Sequence, residues 1–260
     1  MTKYIVTGGA GFIGSHLAEY LVKKKRKVII LDNLSTGRLE NIKNFKDKVK
    51  FVNCDISKKG KWIEELKGKC IVFHLAALAD IVPSIQNPEK YFNSNVEGTL
   101  NLLQACKNSQ VLKFIYTASS SCYGLSKKYP TKESEIIKPM YPYALTKKMG
   151  EDLIVHWSQV YNIPFISLRL FNVYGTRSRT SGTYGAMFGV FLAQKTSNKP
   201  FTIVGSGRQT RDFTYVSDVV EAIIASSKSK IKNEILNVGS GATVSIQKIV
   251  KLLGGKKVYL

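Results

Sequence analysis

The sequence predicts an α/β fold: a doubly wound parallel sheet followed by a smaller, apparently shortened C-terminal substrate-binding region. Three observations carry this. Apolar, β-branched runs alternate with amphipathic stretches through most of the chain. One run, residues 70–76, is almost wholly apolar, as a strand covered on both faces must be. A glycine-rich turn separates the first run from the first amphipathic stretch. Hydrophobic residues make up 44% of the 260, enough for a sizeable core.

In order, residues 3–7 read as a strand. Residues 12–24 read as a helix, with Ile13, Leu17, Tyr20 and Leu21 on one face. Strands are expected at 28–31 and 49–52, a short helix at 62–66, and the buried strand at 70–76. Pro88, suited to a first helical turn, opens a helix through Val96, Leu100 and Leu103 to Ala105. A strand at 113–118, a polar loop at 123–142, a helix at 143–161 and a strand at 165–170 follow. Beyond 170 the rhythm loosens. Residues 175–189, rich in Gly, Ser, Thr and Arg, read as a substrate loop. Helices near 190–196, 216–226 and 246–253 and strands at 201–204 and 235–238 complete the chain. The expected division is 1–172 for dinucleotide binding and 173–260 for substrate, interwoven with late elements of the first part.

Residues 1–7 carry no leader-like pattern, and no run is long and apolar enough to span a bilayer. A cytoplasmic location with no membrane partner is expected. Cys54, Cys70, Cys106 and Cys122 form no C-x-x-C pair, so they read as reduced thiols, and no metal is expected. The net charge is +21, with clusters at Lys23–Lys27, at Lys58, Lys59 and Lys61, and at Lys127 and Lys128. These read as a lysine-rich solvated surface; a nucleic-acid partner is not expected, because no arginine-rich stretch is interleaved with aromatics.

Gly8, Gly11 and Gly14 form G-x-x-G-x-x-G between the first strand and the first helix. There Gly8 permits a tight turn, Gly11 lets a pyrophosphate approach the backbone, and Gly14 lets helix and strand pack closely. The helix N-terminus then faces the phosphates. This is the Rossmann-type arrangement. Asp32 ends the second strand, where a carboxylate accepts from ribose hydroxyls and repels a 2′-phosphate, favouring NAD over NADP. Arg38 lies nearby. Asp55 reads equally as a partner of the adenine amino group or as a helix N-cap.

Tyr143 and Lys147 form Y-x-x-x-K, on one face of a helix. An ammonium beside a phenol lowers its pKa, giving a base for a hydroxyl proton, and the lysine can hold the nicotinamide ribose. Tyr141 has Leu145, not lysine, four residues on. Ser119, Ser120 and Ser121 close the 113–118 strand, where ligand crevices form.

The stretches TGGAGFIGSHL, LDNLSTG, HLAALA, NVEGTLNLLQAC, ASSSCYG, YPYALTK, LRLFNVYG and GRQTRDFTYVSDVV resemble the extended short-chain dehydrogenase/reductase family, in its NAD-dependent epimerase/dehydratase branch. The similarity is greatest to UDP-glucose 4-epimerases. It implies Ser119, Tyr143 and Lys147 as catalytic residues. It implies NAD contacts at Gly8, Gly11, Phe12, Ile13, Asp32, Asn33, Asp55, Ile56, Leu75, Ala76, Ala77, Tyr143 and Lys147. It implies sugar-nucleotide contacts at Ser119, Asn172 and Arg211. Related dehydratases and decarboxylases carry acids where Ser120 and Ser121 stand, and a cysteine-using branch places its thiol one position before Cys122. The implied reaction is oxidation and re-reduction at C4 of a UDP-hexose, in a homodimer formed through helices 95–106 and 143–161. UDP-N-acetylhexosamine and UDP-glucuronate are alternative substrates, and a non-catalytic NAD- and RNA-binding protein is the competing reading. Family members usually continue for several tens of residues past 260.

Overall fold

The structure is a computed structural model that describes residues 1–126, 129–179 and 187–260. Its first unit is β1 (Lys3–Thr7), the glycine turn and α1 (Phe12–Lys23). Next come β2 (Lys27–Asp32), β3 (Lys50–Asn53) and β4 (Lys69–His74), joined by 3-10 segments at Leu39–Lys48 and Lys61–Leu66. The buried strand therefore stops at His74, and Leu75, Ala76 and Ala77 lie just beyond it.

Residues 88–105, expected as one helix, are helical throughout but in three pieces. After a short α2 (Ile81–Gln86) come α3 (Pro88–Phe92), a π turn at Asn93–Glu97 and α4 (Gly98–Lys107). A π turn adds a residue to the ladder, a local irregularity that often marks a functional site. Here it carries the buried Asn95.

Then follow β5 (Gln110–Ser119), a 3-10 turn at Ser120–Tyr123, α5 (Pro142–Tyr161) and β6 (Phe165–Leu170). The last third holds β7 (Asn172–Tyr174), α6 (Met187–Thr196), β8 (Phe201–Ile203), β9 (Thr210–Tyr215), α7 (Val216–Lys228), β10 (Glu234–Val238), β11 (Thr243–Ser245), α8 (Ile246–Leu253) and β12 (Lys257–Tyr259). Of the expected substrate loop and basic clusters, residues 180–186, Lys127 and Lys128 lie outside the described residues.

The main sheet has seven strands in the order β10-β6-β5-β4-β1-β2-β3, all parallel. Apolar residues cover both faces. Ile5, Leu31, Val72, Leu102, Phe114 and Ile154 belong to one layer; Val6, Leu17, Ile30, Phe73, Ile115 and Ile223 belong to the other. Alternation along each strand sends neighbours to opposite layers, which explains near-continuous apolar runs. The strand order reverses between β1 and β4, so a crevice opens beyond the carboxyl ends there. The chain after 172 re-enters this sheet, because β10 pairs with β6. A separate cluster, including Phe191, Phe201, Ile203, Ile246 and Ile249, packs the remaining small units.

Candidate functional site

One cavity of about 1070 Å³ runs along the carboxyl ends of the strands. At one end lies the glycine turn. Gly8 has φ +67°, and a Cβ there would stand 2.7 Å from the Ala76 nitrogen. A Cβ on Gly14 would stand 2.1 Å from the Gly8 oxygen. Strand, turn and helix are thus packed backbone against backbone. Gly11 caps α1 without a side chain, so the first N–H groups of the helix, at Phe12 and Ile13, point outward without intrahelical acceptors. That is an anion cradle at the positive end of a helix dipole.

Asp32 lies beside it. Its carboxylate accepts from the Ala10 N–H at 2.9 Å and the Leu34 N–H at 2.8 Å, which fixes its orientation. Burial raises its pKa, against the pull of those two donors. Asp55 is not a helix N-cap, because the next helical segment begins at Lys61 after Gly60. Its Oδ1 accepts from the Ser57 N–H and hydroxyl at 2.9 and 2.7 Å, closing a local turn, and the residue also lines the cavity. Burial works to raise its pKa, but the hydrogen bonds from Ser57 and Asn33 outweigh it and hold the carboxyl below its ordinary value. Phosphate cradle, ribose-facing carboxylate and a mostly apolar channel past Ile56, Leu75 and Ala76 fit a dinucleotide.

At the other end Ser119 and Tyr143 meet. Both line the cavity wall, Ser119 opposes the rise in the Tyr143 pKa, and the Ser121 hydroxyl lies 2.6 Å from Ser119 Oγ. Asn172 and Arg211 border the same cavity. Asn172 Nδ2 donates to the Asp212 carbonyl at 2.9 Å, and Arg211 Nη1 to the Thr210 carbonyl at 2.8 Å.

Every residue expected at the site lines this cavity except Lys147. Lys147 is 4% exposed, and its Nζ sits 4.2 Å from the centre of the Tyr116 ring, beneath the cavity wall. The expectation that Lys147 holds Tyr143 below the ordinary phenol range also needs correction. Burial pushes Tyr143 up to about 12, opposed by the Ser119 hydrogen bond. Burial likewise pushes Lys147 down to about 7, opposed by Glu151. Desolvation disfavours the charged form of each group and here exceeds the opposing influences of Ser119 and Glu151.

Two buried networks support the site and went unread in the sequence. In the first, Thr7 Oγ1 accepts from the Leu75 and Ala76 N–H groups, so its own proton goes to His74 Nδ1 at 2.7 Å. His74 Nε2 then donates to Thr99 Oγ1 at 2.8 Å, and Thr99 donates to the Asn95 carbonyl at 2.6 Å. Burial keeps His74 neutral, with its pKa near 3. The Asn95 amide donates to the Leu78 carbonyl and to Thr146 Oγ1, both at 3.0 Å, and Thr146 donates to the Tyr143 carbonyl. The glycine turn and the Tyr143 helix are therefore joined by one chain of hydrogen bonds.

The second network centres on Arg169. It grips Glu151 through Nε at 3.1 Å and Nη2 at 2.7 Å, both groups almost fully buried. Its Nη1 donates to the Tyr123 hydroxyl at 2.8 Å, which donates to Asn237 Oδ1 at 2.8 Å. Glu151 lies one turn past Lys147 on α5, and Tyr123 ends the 3-10 turn that follows Ser119. One guanidinium thus fixes the two elements that carry Ser119, Tyr143 and Lys147.

Comparisons with known proteins agree with this geometry. A putative UDP-glucose 4-epimerase of Methanocaldococcus jannaschii is 37% identical over 96% of this chain and 80% of its own. A UDP-N-acetylglucosamine 4-epimerase from Methanobrevibacter ruminantium, solved with UDP-N-acetylmuramic acid, superposes with a TM-score of 0.94 at 35% identity, over 99% of this chain and 84% of that one. A UDP-glucuronic acid 4-epimerase from Bacillus cereus, solved with UDP-glucuronic acid and NAD, gives a TM-score of 0.89 at 32% identity, covering 100% of this chain and 86% of that one. The profile of the NAD dependent epimerase/dehydratase family matches residues 4–239, so the chain belongs to that NAD-dependent family.

Proposed function

We propose that the protein is a UDP-hexose 4-epimerase. The observation that carries this reading is the Ser119–Tyr143 hydroxyl pair on the cavity wall, with Lys147 behind it and no acid at Ser120 or Ser121. An elimination or decarboxylation needs a further acid or base beside the oxidised carbon; serines supply none at neutral pH.

NAD supplies the reversible two-electron oxidation. The chain's own residues bind, orient and move protons. The cradle at Phe12 and Ile13 takes the pyrophosphate of NAD, and Asp32 takes the adenosine ribose. Ser119 holds the C4 hydroxyl of the sugar against Tyr143, and Tyr143, in its phenolate form, accepts its proton. Lys147, when protonated, favours the phenolate and offers its charge to the nicotinamide ribose. Asn172 and Arg211 hold the diphosphate, a guanidinium matching phosphate oxygens in geometry. The 4-keto sugar turns in the cavity and receives its hydrogen on the opposite face, while Tyr143 returns the proton. In this reading 1–172 bind NAD and 173–260 supply most sugar-nucleotide contacts. A homodimer would bury the half-exposed Phe92 and Leu145 on the helices beside the site.

The N-acetylhexosamine and glucuronate forms fit the same machinery, and solved relatives act on them by name. The test is turnover of UDP-galactose, UDP-N-acetylgalactosamine and UDP-galacturonate with added NAD. Conversion of UDP-galactose most efficiently supports the hexose reading. A preference for either other sugar moves the assignment to that substrate. No conversion of any, together with tight NAD and RNA binding, overturns the catalytic reading.

A further inference from the structure

In a parallel sheet all strands start at one end, and the connecting helices finish there. In this chain that end, opposite the cavity, collects much of the positive charge. Four adjacent strands begin at or near a lysine, exposed at Lys27, Lys50 and Lys69 and half-buried at Lys3: Lys3 pairs with Lys27 and with the residue after Lys69, and Lys50 with Ile29. Helical segments end there at Lys48, Lys107 and Lys228, and α1 runs directly into Lys24, Lys25 and Arg26. Among the described residues, the ion pairs at this end are Lys23–Glu19, Lys50–Glu65 and Lys67–Glu64. Asp47 and Glu234 are exposed there as well, so the cations remain in clear excess.

A second observation is independent of charge. Large apolar side chains protrude at the same end: Leu112 is 47% exposed, Val160 51% and Ile231 53%. Leu112 sits at the irregularity between β4 and β5. Lys113, next to it, donates from Nζ to the Ser229 and Ile231 carbonyls, which binds the α7–β10 loop to the start of β5. Ser158 donates to Asn233 Oδ1 at 3.0 Å, bringing the end of α5 to the same loop. Around these tips stand Lys107, whose Nζ lies 4.6 Å from the centre of the Tyr161 ring, and the exposed Lys230 and Lys232.

We propose that this end of the sheet is a docking face for an anionic lipid surface. Lysines placed near a surface of acidic headgroups each add attraction. Apolar tips among them enter the boundary between headgroups and acyl chains. A nucleic-acid face has different needs: arginine forks and stacking aromatics serve it better than protruding aliphatic tips, and Arg26 is the one arginine among the cations named here. The cavity mouth lies about 20 Å away at the far ends of the strands, so a docked molecule keeps its site open to soluble nucleotide sugars.

The test is sedimentation of the purified protein with vesicles of phosphatidylcholine alone and with about 30% phosphatidylglycerol, at about 50 and 300 mM salt. The expected result is binding to the acidic vesicles only, lost at high salt. Lys24→Glu/Lys25→Glu/Lys27→Glu should weaken it roughly a hundredfold. Leu112→Ser/Ile231→Ser should weaken it at least about tenfold without changing net charge. Both variants should keep the wild-type NAD affinity, which reports a folded chain. Equal binding to neutral vesicles, no binding to acidic ones, or indifference to both substitutions would overturn the proposal. So would tighter binding to a single-stranded RNA oligonucleotide with no effect of Leu112→Ser/Ile231→Ser, which assigns the face to nucleic acid.

Discussion

Tyr143 and Lys147 share one face of α5, and burial governs both. With the phenol pushed up to about 12, neutral tyrosine is the resting form at pH 7, and the Ser119 hydrogen bond is the influence opposing that rise. A base made in this way depends on its hydroxyl. Tyr143→Phe should lower kcat by about 10³-fold while leaving NAD affinity within a factor of a few, read by turnover and by ligand titration. Lys147 gives a second prediction, on stability. Its pKa falls from 10.5 to about 7 on folding, so between those values the folded state binds fewer protons than the unfolded one. Stability must then rise with pH through that window. From pH 7 to pH 9 this one group contributes about 2 kcal/mol. Urea unfolding at the two pH values should show wild type gaining that much over Lys147→Met; parallel behaviour of the two proteins would mean that Lys147 is not desolvated.

At the scale of elements, the site rests on α1, α5 and the turn after β5, and each is held by a different force. For α1 it is close backbone contact. Gly14→Ala places a Cβ 2.1 Å from the Gly8 oxygen, so the turn must move. NAD affinity should fall on the order of a hundredfold, as expected for displacing a binding element by about an ångström. An unchanged Kd by fluorescence titration would show that the cradle does not hold the pyrophosphate. For α5 and the turn, the force is the Arg169–Glu151 pair. Removing one partner strands a buried charge, so Arg169→Met should cost about 3–5 kcal/mol in urea unfolding. Arg169→Met/Glu151→Met should recover most of that loss, since paired removal leaves no uncompensated charge.

These elements also show how far the sequence could be read. G-x-x-G-x-x-G and Y-x-x-x-K are local patterns, so the turn, the helix face and most cavity residues were legible from spacing. The Arg169 network is not local. Its partners Glu151 and Tyr123 lie 18 and 46 residues away, and no periodicity joins them. One signal was present: Glu151 follows Lys147 by four residues on the Tyr143 face. The π turn at Asn95 was illegible for another reason, since its sequence is ordinary helix and the extra residue serves a tertiary need, the bonds to Leu78 and Thr146. The pKa of Tyr143 is not legible in the sequence, which shows a neighbouring charge but not the burial that opposes it.

At the scale of the whole molecule, a net charge of +21 on 260 residues is self-repulsive. Raising salt from about 20 to 300 mM shortens the screening length from about 20 Å to below 8 Å, and the melting temperature should rise by several degrees. A melting temperature indifferent to salt would mean that the charges are locally compensated. The fold places the lysine-rich starts of the strands and the cavity at opposite ends of one sheet, with the cavity reaching from glycine turn to Tyr143. A transient oxidation at C4 is checked by proton NMR of the purified protein with NAD and the three UDP-sugars in deuterated water. The expected product is a C4 epimer that keeps its original C4 hydrogen, because that hydrogen leaves and returns without meeting solvent. No epimer from any of the three sugars, or an epimer carrying deuterium at C4, would contradict it.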